Sequence, residues 1–78
     1  MPTVLWRGPF RVFLYAGDGS EPPHVHVEHG DGEAKFWLDP VRLVRSHGLR
    51  SKDISQIQDL VEQHQQDLLE ARDEFFNG

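Results

Sequence analysis

With 78 residues and a formal charge of −5, from 13 acidic against 8 basic side chains, the chain is sized for one domain spanning 1–78. That charge has the wrong sign for broad, non-specific binding to nucleic acid, which depends on neutralising phosphates with Lys and Arg. There is no cysteine, which excludes disulfides and thiolate metal sites and leaves His, Asp and Glu as the ligands for any metal.

No apolar run approaches the roughly 20 residues of a membrane span, and Met1–Arg7 lacks the layout of a secretion signal, so a soluble cytoplasmic protein without membrane contact is expected. Val4-Leu5-Trp6 reads as a short edge strand stopped by Gly8-Pro9. Phe10 to Tyr15 is rich in aromatic and β-branched residues and reads as a strand, with a turn at Gly17-Asp18-Gly19-Ser20. Pro22-Pro23 stiffens the exit because proline fixes φ. His24 to His29, then Gly30-Asp31-Gly32, then Glu33 to Leu38 is a hairpin signal. Asp39-Pro40 breaks that strand, and Val41 to Arg45 is read as a last strand, in preference to a short helical turn, before Gly48. The strands therefore fall within 3–46.

Residues 51–76 contain neither Gly nor Pro. Ile54, Ile57, Val61, His64, Leu68, Arg72 and Phe75 follow the 3/4 spacing of one helix face, widened by Leu60, Leu69 and Phe76. The expectation is one long amphipathic helix, about 52–76, starting at a Ser51 N-cap with Asp53 favourable in its first turn. At 1.5 Å per residue it spans about 37 Å, long for a small sheet, so Phe75 and Phe76 need another surface or a fold back onto Trp6. Together these elements predict an α+β protein: three to five mostly antiparallel strands with the helix across one face. Arg42, Arg45, His47, Arg50 and Lys52 fall together and are expected as exposed charges. His64, on the apolar stripe, is expected half-buried against a sheet-edge carbonyl, and Arg72 is expected to reach water or an acid.

The segment that asks for a function is Pro22-Pro23-His24-Val25-His26-Val27-Glu28-His29. In a strand, His24, His26 and Glu28 share one face, while Val25, Val27 and His29 share the other, towards the helix. Across the hairpin the histidines meet either Glu33, Lys35 and Trp37 or Ala34, Phe36 and Leu38, depending on register. Three roles compete. His24 and His26 with Glu28 or Glu33 are candidate ligands for a divalent transition metal, a weak signal that the sequence does not require. His24 or His26 is a candidate general base beside a carboxylate, as in metal-independent ribonucleases. Or the imidazoles pack against Trp37 and hydrogen-bond to the turn, in a structural role. No nucleophile elbow, phosphate-cradling loop or zinc-protease motif occurs.

The order of these elements resembles the domain of unknown function family 4160, a family of small bacterial proteins, nearly end to end. The resemblance rests on Phe10 to Tyr15, on the Pro-Pro-His-X-His-Val core Pro22 to Val27, on Ala34-Lys35-Phe36-Trp37-Leu38, and on the tail Leu68-Leu69-Glu70-Ala71-Arg72-Asp73-Glu74-Phe75. Relatives often have a further histidine where this chain has Glu21, so a three-histidine metal site in them would use Glu21 here. The family's tail tryptophan is replaced by Arg72. The family has no established activity. Its members are often encoded beside a second small family, which implies one half of a toxin–antitoxin-like module with a small protein partner encoded nearby. On this reading the chain is an interaction protein rather than an enzyme, a homo-oligomer is a further option, and RNA is disfavoured by charge. A His-dependent ribonuclease or hydrolase, or a His/carboxylate metal-binding module, is the alternative.

Overall fold

The computed structural model describes residues 3–14 and 21–77. Strands β1 (Thr3–Arg7), β2 (Phe10–Phe13), β3 (His24–His29), β4 (Gly32–Leu38) and β5 (Val41–His47) are followed by helices α1 (Ser51–Gln63) and α2 (Gln65–Asn77). The strands form one antiparallel sheet in chain order. This is the expected α+β arrangement, with five strands. The end of the predicted second strand at Tyr15 and the Gly17–Ser20 turn lie outside the described residues.

Alternation sorts the side chains as the period of two demands. Val12, Val25, Val27, Phe36 and Leu38 face the helices and are fully buried. They meet Ile57, Leu60, Val61 and Leu68 in one core. Each such side chain, taken from water to full burial, contributes about 1.5–3 kcal/mol. The β3–β4 turn is Gly30-Asp31, with His29 opposite Gly32. Gly30 holds φ at 59° and Asp31 does not share that sign, the pattern of a type II′ hairpin turn that matches strand twist.

The last strand breaks strict alternation, and a bulge repairs it. Lys35 pairs with Arg45 but Phe36 pairs with Leu43, so Val44 is the extra residue on β5. Without it, Arg42 and Arg45 would lie on opposite faces, and one guanidinium would be turned towards the core. With it, both arginines share the face away from the helices, and Leu43 keeps its place opposite Phe36.

The single long helix is corrected to two helices of 13 residues each, broken at His64, where φ is −110° and ψ 17°. The physical reason is tertiary contact at the break itself, where the sheet holds the side chains on either side of it. Beyond the break, Leu68 is fully buried. Two consecutive side chains tie the bend down: His64 Nε2 lies 3.3 Å from Arg7 Nη2, and Gln65 Nε2 donates to Leu38 O at 2.6 Å. His64 thus meets an arginine side chain rather than the sheet-edge carbonyl expected for it. At the tail, Arg72 donates to Glu21 O at 3.3 Å and covers the ring of Phe76, while Phe75 stays exposed.

The N-cap of α1 is Arg50, one residue before the expected Ser51. Its backbone N–H donates to Asp53 Oδ2 at 3.2 Å, and its guanidinium lies 3.5 Å from the same oxygen. The Arg50 amide bond is the main cause that holds the Asp53 carboxyl below its usual 3.8; loss of hydration opposes it, and the charges of Arg50 and His29 reinforce it. A carboxyl lowered on folding stabilises the fold fully above its unfolded value, and that contribution is lost as pH falls through the folded value. Asp53→Asn is therefore expected to lower the melting temperature at pH 7. The gap from the parent should close on titration down past 3.8, as thermal melts across that range would show.

Candidate functional site

The sheet face turned away from the helices is built by the same alternation, one residue out of step with the core. The register places His24 opposite Trp37, His26 opposite Lys35, Glu28 opposite Glu33, and Phe13 opposite His26 on the other side. Of the two hairpin registers open to the sequence, this is the one that aligns His24 and His26 with Glu33, Lys35 and Trp37. His29 falls on the helix-facing side, as expected from its parity, and its ring lies 5.1 Å from that of Phe10.

His24 and His26 form an edge-on pair with centroids 5.3 Å apart, and solvent reaches only 3% of each. His24 Nδ1 lies 2.8 Å from Pro22 O. A carbonyl can only accept, so Nδ1 is the donor in this contact. The same ring meets Trp37 edge-on at 5.7 Å. His26 stacks on Phe13 at 5.6 Å, and its Nδ1 lies 3.4 Å from Glu33 Oε2. Beside them Lys35 is buried, with its ammonium paired to the Glu21 carboxylate and 5.1 Å from the Trp37 ring centre.

Glu28 shares the face but turns to another partner: Arg11 Nη1 approaches Glu28 Oε1 at 3.2 Å. Among the described residues no three His, Asp or Glu side chains are grouped closely enough to hold a metal ion. Neither of two shallow depressions on the described surface is lined by an imidazole. One, of about 370 Å³, is lined by Pro22, Pro23, Trp37, Asp39, Pro40 and Arg42. The other, of about 350 Å³, lies between the β1–β2 turn and α1.

The cluster can therefore do two things. It can fix the Pro22-Pro23 turn to the sheet through His24 and Lys35. It also holds an imidazole–carboxylate couple, His26–Glu33, of the kind that orients a base. Lys35 and Glu21 were each expected near the histidines, but their pairing with each other was not. The signal for Lys35 was its position across from His26 in one of the two registers. The family resemblance had marked Glu21 as the place of a further histidine, but nothing local foretold its contact with Lys35, 14 positions away.

The fold and this cluster define a small α+β domain: a five-stranded antiparallel meander, helices on one face and a buried histidine pair on the other. A family model described as Domain of unknown function (DUF4160) matches residues 10–71, and the chain belongs to that family. No curated protein and no solved structure matches the chain. No helix among the described residues is long and apolar enough to cross a membrane.

Proposed function

We propose that the protein is a cytoplasmic interaction module, one component of a toxin–antitoxin-like pair, that meets a small protein partner through the sheet edges and the end of α2. The observation that carries this reading is where large apolar side chains stay in water. Trp6 is 63% exposed on β1, Leu43 and Val44 are 37% and 36% exposed on β5, and Phe75 is 37% exposed at the end of α2. Single exposed apolar residues are ordinary on any surface. Their placement on both edge strands is what matters, because an edge also offers unpaired N–H and C=O groups to another chain. The linkage of family members to a second small gene supports the same reading by association.

The test is to co-express the chain with each protein encoded beside it and to analyse the product by size-exclusion chromatography. A stable complex is expected, and it should be lost in the triple variant Trp6→Ser, Leu43→Ser, Phe75→Ser, whose circular dichroism should match the parent. A chain that elutes alone with every neighbour would remove the reading.

The His26–Glu33 distance supports a second reading, a His-dependent ribonuclease or hydrolase with His24 and His26 as acid/base groups. Its expected result is RNA cleavage that His26→Ala abolishes while the melting transition persists. Equal cleavage by variant and parent, or none by the parent, would end it.

A further inference from the structure

We infer that β5 is the partner-binding strand, and that its occupant is an acidic, extended segment of the partner protein that adds along the free edge of β5 as a sixth strand. This rests on the interaction-module reading and names the partner's chemistry. Among the described residues β5 pairs only with β4, and six of its seven residues are exposed.

The charge of this edge is opposite to that of the molecule. Residues 41–47 hold Arg42, Arg45 and His47 and no acid, and exposed Arg50 and Lys52 extend the strip. The helices, by contrast, hold seven acids against two bases and account for the net −5. The bulge at Val44 sets both arginines of β5 on one face, where they act together on an approaching anion. Arg42 also borders the shallow depression lined by Pro22, Pro23, Trp37, Asp39 and Pro40, where a side chain of the added strand could rest.

A second copy of this chain does not suit the site. Its two sheet edges, β1 with Arg7 and β5 with Arg42 and Arg45, carry cations and no acids, so any edge-to-edge pairing of copies opposes like charges. Nucleic acid would meet the same arginines, so a short RNA is one arm of the test.

Fluorescence anisotropy with four labelled probes tests this: a peptide of alternating glutamate and valine ending in tryptophan, the same peptide with lysine for glutamate, the glutamate peptide N-methylated at alternate residues, and a short single-stranded RNA. Saturable binding is expected for the first alone, with slowed amide exchange in β5. It should weaken about tenfold or more in Arg42→Glu/Arg45→Glu, whose exposed positions leave the fold intact. Equal binding of the lysine peptide, the methylated peptide or the RNA would overturn the inference, as would no binding at all or binding unchanged by the charge reversal. The co-expression test separates the two levels. A complex with a neighbour-encoded protein that survives Arg42→Glu/Arg45→Glu removes β5 as the site and leaves the interaction reading standing, whereas no complex removes both.

Discussion

Phe36→Ala is expected to leave the protein largely unfolded at 25 °C. Phe36 is fully buried on β4, which lies between β3 and β5, and it pairs with Val25 on one side and Leu43 on the other. Removing a buried phenyl ring costs about 3–5 kcal/mol, from lost transfer energy and from the cavity that the neighbours fill only in part. A domain of 78 residues has a total stability of the same order, about 4–12 kcal/mol by the usual per-residue range and nearer its low end for so small a core. Urea titrations followed by circular dichroism decide it. The alanine variant should show little or no folded baseline, and Phe36→Leu should keep a cooperative transition at lower urea. An alanine variant with a midpoint close to the parent's would mean that the core closes around the gap.

Gly32→Ala is the second large effect, and its cause is contact rather than conformation. A Cβ at Gly32 would stand 2.5 Å from Gly48 O and 2.8 Å from Gly48 C, atoms of the backbone joining β5 to α1. Leu49 Cδ2, at 2.7 Å, belongs to a side chain that can turn aside, but the carbonyl can move only with its peptide. Overpacking of this kind costs about 1–3 kcal/mol, more where backbone must shift. Gly30 in the same hairpin is the comparison, because open space surrounds it and only its φ of 59°, strained for any L side chain, is at stake. Urea midpoints should fall further for Gly32→Ala than for Gly30→Ala. The reverse order would mean that this corner is not closely packed. Because Gly48 follows β5, the Gly32 variant is also expected to loosen the end of the strand inferred to receive the partner.

Local pattern made most of the fold legible. The Val25 and Val27 face, the Gly30-Asp31 turn, the β5 strand and the apolar stripe through Ile57, Val61 and Leu68 all follow from periods of 2 and 3.6 that each segment carries in itself. The same parity separated His24 and His26 from His29. The helix break at His64 was not legible, because the stripe runs through it unbroken and the contacts at the break come from Arg7 and Leu38, far away in sequence. The bulge at Val44 was hidden for a related reason: Val41-Arg42-Leu43-Val44-Arg45 fits a strand imperfectly, and the partner strand decides which residue is set aside.

What the sequence by itself determined is the α+β class, the family, and which residues of the Pro-Pro-His-Val-His core share a face. Those are properties of spacing along one chain. Only the tertiary structure decided that the imidazole pair is buried beside Lys35 and Glu21, that Glu28 serves Arg11 while Glu33 stands beside His26, and that the bulge at Val44 sets Arg42 and Arg45 on one face of an edge strand. Each of those depends on strand register or on contacts between residues far apart in sequence. Register is a contest between whole strands for the core, won by the alignment that buries Val25, Val27, Ala34, Phe36 and Leu38 together.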